Sequence, residues 1–196
     1  MIRLLIVDDH IPTREAAVKD LAADGVIQVV GQAETSDEAL KTAQQLLPDL
    51  VLLDLHLPGL LNTYDLIKRL NALKNVKIVI YASQSKASEV QDLLDAGAAA
   101  YVLKSDPSAL IRMSILMVSR GSRNIISPAL PRNLTRLSAQ ERNILRQITK
   151  RGGLPKAAER MGISEFDLNQ ILEHLTEKLE LETPTHLVRW AKKHGF

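Results

Sequence analysis

Five short apolar runs, each followed by an amphipathic stretch of ten or more residues, constrain this chain more than any other feature. The runs are "IRLLIV" (2–7), "IQVVGQ" (27–32), "LVLLD" (50–54), "KIVIYA" (77–82) and "AYVLK" (100–104). The stretches between and after them fall at 12–23, 36–47, 63–73, 86–96 and 107–120. Near-continuous aliphatic runs, rather than strict alternation, suit strands buried on both faces. Strands alternating with helices in this manner predict a parallel sheet covered on both sides.

The pattern stops near residue 120. "SRGSRNIISPALPRNLTR" (119–136) is rich in Ser, Pro, Arg and Asn, carries no sustained period, and is expected to be a linker. Beyond it only helical periodicity remains, at 138–150, 155–161, 165–180 and 184–193, with breaks at "GG" (152–153), "MGIS" (161–164) and "ETP" (182–184). The expected organisation is therefore a first domain over 1–121, a linker over 122–136 and a helical domain over 137–196. No internal repeat or low-complexity tract interrupts it.

Composition removes several kinds of chemistry. The 196-residue chain has no cysteine, which excludes disulfides, zinc thiolate sites and thiol catalysis, and its five histidines lack metal-ligand spacing. A net charge of +2 does not by itself imply a nucleic-acid partner. The start turns acidic too early for a signal peptide and no apolar run approaches 18 residues, so the expected location is cytoplasmic.

Carboxylates mark the ends of the strands. The first run ends in Asp8-Asp9, the third in Asp54, the fourth in Ser83 and the fifth in Lys104. In a parallel α/β sheet ligands bind beyond the carboxyl ends of the strands, so these side chains are expected to meet at one edge. Three crowded carboxylates repel one another, and a hard divalent cation such as Mg2+ resolves the conflict. A carboxylate beside Mg2+ and a lysine is a suitable phosphoryl acceptor, because both cations neutralise charge on the transferring oxygens. Taken singly each residue has a plainer explanation: an aspartate as a turn or cap, a serine as a cap, a lysine as exposed surface. Their joint placement at four strand ends favours the chemical one.

"VDDH", "PDLVLLDLHLPG", "YAS" and "AGAAAYVLK" stand in order, and with them residues 1–121 resemble the receiver domain of bacterial two-component response regulators. The resemblance implies an α/β, (βα)5 flavodoxin-like fold and phosphorylation of Asp54 by a sensor histidine kinase. It implies Asp9 as a direct Mg2+ ligand, Asp8 acting mainly through water, and Asp54 and the backbone carbonyl of His56 completing the protein ligands. Ser83 would turn inward to the phosphoryl group with Tyr101 following it, and Lys104 would pair with the phosphate. The chain departs from the family after "LPG": Thr63 stands where a glycine is usual, one residue late, so the loop beside Asp54 is expected to differ in shape and to alter the rate or lifetime of phosphorylation. His56 is placed either to tune hydrolysis or simply as an exposed loop residue.

Residues 134–193 resemble the four-helix, helix-turn-helix DNA-binding domain of the NarL/FixJ (LuxR-type) regulators, through "LSAQERNILRQITK", "AAERMGIS" and "THLVRWA". Such domains lay their third helix in the major groove. Here the corresponding segment, "ISEFDLNQILEHLTEKLELE" (163–182), has six acidic side chains against Lys178 alone. Where the family usually reads Ser-x-x-Thr-Val-Lys-x-His, this chain has Ser164, Asp167, Leu168, Asn169 and Ile171. Leu168, Ile171, Leu172, Leu175 and Leu179 share the buried phase, leaving Phe166, Asn169, Gln170, Glu173 and Glu177 exposed. Asn169 and Gln170 have the chemistry to read adenine edges, and Lys156 and Arg160 are candidate phosphate contacts. Asp167 is either a cost to DNA binding or a helix-capping residue with Ser164. Because phosphate neutralisation supplies most DNA affinity, the balance points to weak or conditional binding.

On the last helix of the first domain the sheet-facing stripe is expected at Leu110, Ser114, Ile115 and Val118. Met113, Leu116 and Met117 then fall outside it, as an apolar patch for a second receiver in a homodimer or for the C-terminal domain. The expected function is a response regulator whose Asp54 phosphorylation switches a DNA-binding output and so transcription. The alternative is a regulator whose acidic output helix acts through protein–protein interaction. An enzyme is not expected beyond slow self-dephosphorylation.

Overall fold

The computed structural model describes residues 1–83, 87–130 and 137–196. The chain divides into two compact units, Met1–Ser85 with Leu93–Ala129, and Lys86–Asp92 with Leu130–Phe196. Across residues 1–121, β1 (Ile2–Val7), α1 (Ile11–Ala22), β2 (Ile27–Ala33), α2 (Ser36–Leu46), β3 (Leu50–Asp54), α3 (Thr63–Asn71), β4 (Lys77–Ala82), α4 (Ala87–Asp95), β5 (Ala100–Leu103) and α5 (Ser108–Ser119) follow the expected alternation, with residues 87–92 of α4 grouped in the second unit. The strands lie in the order β2-β1-β3-β4-β5 and pair in parallel throughout. All their carboxyl ends therefore emerge on one edge. Every residue of β3 is buried, as its unbroken apolar run requires.

A sixth strand, β6 (Ile125–Ile126), was not expected. It pairs in parallel with β5, Ile125 opposite Ala100 and Ile126 opposite Tyr101. Ser127 extends the contact, its N–H donating to the Tyr101 carbonyl at 2.9 Å and its hydroxyl to Asp106 Oδ1 at 2.8 Å. Two isoleucines in a Ser/Pro-rich segment carry no readable period, so only pairing with a distant strand reveals them. The residues around β6 thus pack with the first unit rather than forming a free linker, and residues 131–136 of the expected linker lie outside the described residues.

The phase of α5 also differs slightly from expectation. Its buried residues are Ile111, Ser114, Ile115 and Val118, a clean i, i+3, i+4, i+7 stripe, and Leu110 is only partly buried. Met113 and Met117 are exposed and Leu116 is half-buried.

The second unit contains α6 (Ala139–Thr149), α7 (Gly153–Met161), α8 (Glu165–Lys178) and α9 (Pro184–Lys193). Helix α7 begins earlier than its apolar phase suggested, because Gly152 and Gly153 both take left-handed φ values (112° and 71°) that let the chain turn into it. Pro155 sits in that first turn, where a missing N–H costs nothing. A left-handed Gly162 (φ 68°) caps its end. Leu145, Leu168, Leu172, Leu175, Leu187 and Ala191 form the centre of a single apolar core. Arg142 is buried rather than part of a solvated face, and donates to the Leu137 carbonyl at 2.6 Å.

Helix α6 opens with a reciprocal cap. Ser138 Oγ accepts from the Glu141 N–H at 3.2 Å, and Glu141 Oε2 accepts from the Ser138 N–H at 2.7 Å. Lys178 Nζ reaches both oxygens of the same carboxylate at 2.8 Å. Burial works against the Glu141 charge, but Lys178 and Ser138 outweigh it and hold the carboxyl below its ordinary range. A carboxyl depressed in the folded state stabilises above its unfolded pKa and loses that contribution as pH falls through the folded value. Glu141→Gln is therefore expected to cost about 1 kcal/mol near neutral pH, with the difference from wild type closing below about pH 4. Chemical denaturation followed at both pH values checks it; an equal difference at each would contradict the ionic part of the cap.

Candidate functional site

Sheet topology assembles the site. Asp8 follows β1, Asp54 ends β3 and Lys104 follows β5, and the order β1-β3-β4-β5 sets these ends side by side. Carboxylate oxygens of Asp8, Asp9 and Asp54 lie within 4.8 Å of one another. Lys104 Nζ stands 2.7 Å from Asp8 Oδ2 and 3.2 Å from Asp54 Oδ2. Asp8 is fully buried, Asp54 nearly so, and Asp9 is exposed.

The electrostatics follow from that crowding. Burial pushes the Asp54 carboxyl above its ordinary range; the Lys104 ammonium opposes the shift and the Asp8 charge adds to it. For Lys104 burial disfavours the charge, yet Asp8 and Asp54 prevail and raise its pKa. Three carboxylates against one ammonium leave the cluster doubly negative when all are ionised. Hard oxygen donors with that charge, one of them open to solvent, suit a divalent cation that keeps several waters, as Mg2+ does.

Local contacts fix each group. Asp8 Oδ1 accepts from the His10 N–H at 2.9 Å, and Asp54 Oδ1 from the Leu55 N–H at 2.7 Å, so each carboxylate keeps Oδ2 toward the lysine. Arg14 on α1 is buried; its Nη1 donates to the Asp8 carbonyl at 2.5 Å, its Nη2 pairs with Glu34 at 2.6 Å, and its Nε donates to Gln32 Oε1 at 3.1 Å. The sequence reading missed this support. Its signal was available: Arg14 lies on the α1 face of Ala17 and Leu21, an apolar stripe where a lone charge calls for a partner.

The loop after Asp54 is held by a set of hydrogen bonds to Leu55, just past β3, and to α2. The Thr63 hydroxyl donates back to the Leu55 carbonyl at 2.7 Å, and Asn62 caps α3 by accepting from the Asp65 N–H. The Pro58 carbonyl accepts from the Ser36 N–H at 2.9 Å, and Asp37 accepts from the Leu60 N–H at 2.7 Å. Gly59, at φ +134°, passes so close to Ser36 that a Cβ would collide with its side chain. Thr63, at the point of departure from the family, thus ties the loop to the strand end. His56 is exposed on this loop, Ser83 is exposed just past β4, and Tyr101 is fully buried in β5.

In the second unit, α8 places the expected residues outward. Phe166, Asn169, Gln170, Glu173 and Glu177 are exposed, while Leu168, Leu172, Leu175 and Leu179 are buried and Ile171 is half-buried. His174 shares the exposed face and was not anticipated. Asp167 belongs to the helix start: its N–H donates to Ser164 Oγ at 3.0 Å, and its carboxylate accepts from the same hydroxyl at 2.7 Å. Lys156 is exposed. Arg160 is exposed as well, but is held on α6 through the Gln147 carbonyl at 2.8 Å and its side-chain oxygen at 3.3 Å.

Comparison with known proteins agrees with both units. The response regulator receiver domain family matches residues 4–115. Response regulator GacA of Pseudomonas viridiflava is 31% identical over 210 residues, covering 100% of this chain and 98% of its own length. The nitrate/nitrite response regulator protein NarL of Escherichia coli K12 is 29% identical over 207 residues, covering 96% of this chain and 94% of its own. Among solved structures, RcsB of Salmonella enterica serovar Typhimurium bound to the promoter rprA with phosphomimetic BeF3- has a TM-score of 0.63 at 19% identity, covering 97% of this chain and 98% of that one. That likeness shows the fold across both units. Among the described residues no helix is long and apolar enough to cross a membrane.

Proposed function

Because this chain belongs to the two-component response regulator family, we propose that Asp54 accepts a phosphoryl group from a sensor histidine kinase and thereby switches a C-terminal helix-turn-helix unit that controls transcription by binding DNA. The observation that carries this reading is the meeting of Asp8, Asp9 and Asp54 within 4.8 Å, with Lys104 paired to two of them. The O–P bond to Asp54 forms as the P–N bond of the kinase's phosphohistidine breaks, the electron pair leaving with the imidazole. Leu55 N–H fixes one Asp54 oxygen, and Lys104 follows charge onto the transferred oxygens. Mg2+ held by Asp8, Asp9, Asp54 and the His56 carbonyl would neutralise the remainder of that charge.

Ser83, exposed at the end of β4, supplies a hydroxyl that turns toward the phosphoryl group, and Tyr101 in the neighbouring strand answers the movement. β6 pairs with Tyr101, which gives that movement a route along the chain toward the output unit. Met113 and Met117, with Leu116 beside them, offer an apolar patch for a second receiver. Self-dephosphorylation is slow.

At the DNA, Asn169 and Gln170 read base edges, Phe166 lies beside them, and Lys156 and Arg160 meet phosphates. Asp167 is spent on capping α8, so it weighs less against binding than its charge suggests. The relatives do not favour an output that acts by protein contact alone. Protein treated with a phosphodonor is expected to enrich specific sites in a genome-wide DNA pull-down, with affinity falling as salt rises. Asn169→Ala is expected to cost about 1–3 kcal/mol of discrimination at one base pair. Absence of enriched sites, with a protein co-purifying instead, would overturn the DNA-binding output.

A further inference from the structure

Lys104 has a neighbour that is not a carboxylate. The face of the Tyr81 ring lies with its centroid 5.6 Å from Lys104 Nζ. Tyr81 stands in β4 opposite Asp54 of β3 and Val102 of β5, one strand from the phosphoacceptor and beside the strand that delivers the lysine. It is only 7% exposed. Tyr81 and Lys104 also line a cavity of about 170 Å³ between α1 and α5, and two further acids, Asp20 and Asp106, line the same cavity.

That geometry poses a choice for the ammonium. A lysine stem has four rotatable carbons, and an ammonium near several carboxylates adopts whichever arrangement the packing allows. Asp20 already accepts from the Ser108 hydroxyl, and Asp106 from the Leu103 N–H and the Ser127 hydroxyl, but carboxylates keep spare lone pairs. An aromatic face attracts a cation without carrying charge, so it can hold the ammonium without competing with Asp8 and Asp54 for a proton.

We propose that Tyr81 is a positioning residue for phosphoryl transfer, its ring face keeping the Lys104 ammonium at Asp8 and Asp54 and out of the α1–α5 cavity. The ring, not the hydroxyl, does this. The proposal rests on the reading of Asp54 as phosphoacceptor, but part of its test does not. Tyr81→Leu removes the aromatic face while keeping an apolar side chain; Tyr81→Phe keeps the face.

Two measurements on the full chain decide it. In ¹H–¹³C spectra of lysine-labelled wild type, without phosphodonor, the Lys104 ε-methylene resonates upfield from ring current, stays there in Tyr81→Phe and returns to the ordinary lysine position in Tyr81→Leu. With acetyl phosphate and saturating Mg2+, Tyr81→Leu is labelled at Asp54 about three- to tenfold more slowly than wild type, and Tyr81→Phe within about twofold. A wild-type Lys104 resonance at the ordinary position overturns the proposal even if Tyr81→Leu fails to fold. So does a Tyr81→Leu variant with native spectra that is labelled at the wild-type rate, or a Tyr81→Phe variant as slow as Tyr81→Leu. If wild type itself takes no label, the phosphoacceptor reading falls, while the spectra still decide whether Tyr81 holds the lysine.

Discussion

Asp54→Asn will reduce labelling by a small-molecule phosphodonor to background while leaving the receiver unit folded. The amide is nearly isosteric with the carboxylate, so β3 keeps its packing and the Leu55 N–H keeps an acceptor. It lacks the nucleophilic oxygen that must form the O–P bond. It also removes one of three crowded negative charges from a site where burial already works against ionisation. The variant is therefore expected to melt no lower than wild type in the absence of Mg2+. Mass spectrometry after incubation with acetyl phosphate and Mg2+ is the direct check. A phosphoryl group persisting on the variant would move the acceptor to Asp8 or Asp9, and a collapse of the fold would mean that the Asp54–Lys104 pair is structural.

Leu172→Ala will destabilise the helical unit by about 2–5 kcal/mol, a large share of the stability a domain of this size has. Leu172 is fully buried on α8, within the cluster that Leu145, Leu168, Leu175 and Leu187 complete. The lost methyl groups leave a cavity that four packed helices can close only in part. Denaturant unfolding followed by helical circular dichroism is expected to show the loss, with DNA retention reduced in parallel. Labelling of Asp54 is expected to persist, because none of its ligands comes from the helical unit. A change smaller than about 1 kcal/mol would show that α8 is not packed through this face.

Much of the receiver site was legible because its pattern is local. Each strand announces itself by an unbroken aliphatic run, and in a parallel sheet the residue just past such a run has one place to go. Asp8, Asp54 and Lys104 could be brought together on paper for that reason, and they stand together in the structure. Where the local rule was weaker, the result shifted. The stripe of α5 moved from Leu110 to Ile111, since a one-residue change of phase rotates a helix by only 100° and apolar residues stood at both positions. Arg14 was passed over although its place on an apolar stripe called for a partner, and Tyr81 because its motif marks Ser83 while its own ring meets Lys104, just past the neighbouring strand.

Strand and helix periods, strand-end chemistry and capping signals are properties of a few neighbouring residues. They sufficed to draw the (βα)5 unit, the helices after it and the acid cluster at the sheet edge. Contacts between segments distant in the chain are another matter, because their energy depends on which surfaces the fold brings within a few ångströms. The sixth strand against β5, the Arg14 pairing with Glu34 and the aromatic face beside Lys104 are all of that kind. By contrast, the Thr63 tether to Leu55 and the Arg14 bond to the Asp8 carbonyl are near in sequence and set by how loop and helix fold back. Which partner each side chain meets becomes visible only when the sheet has closed and turned the two together.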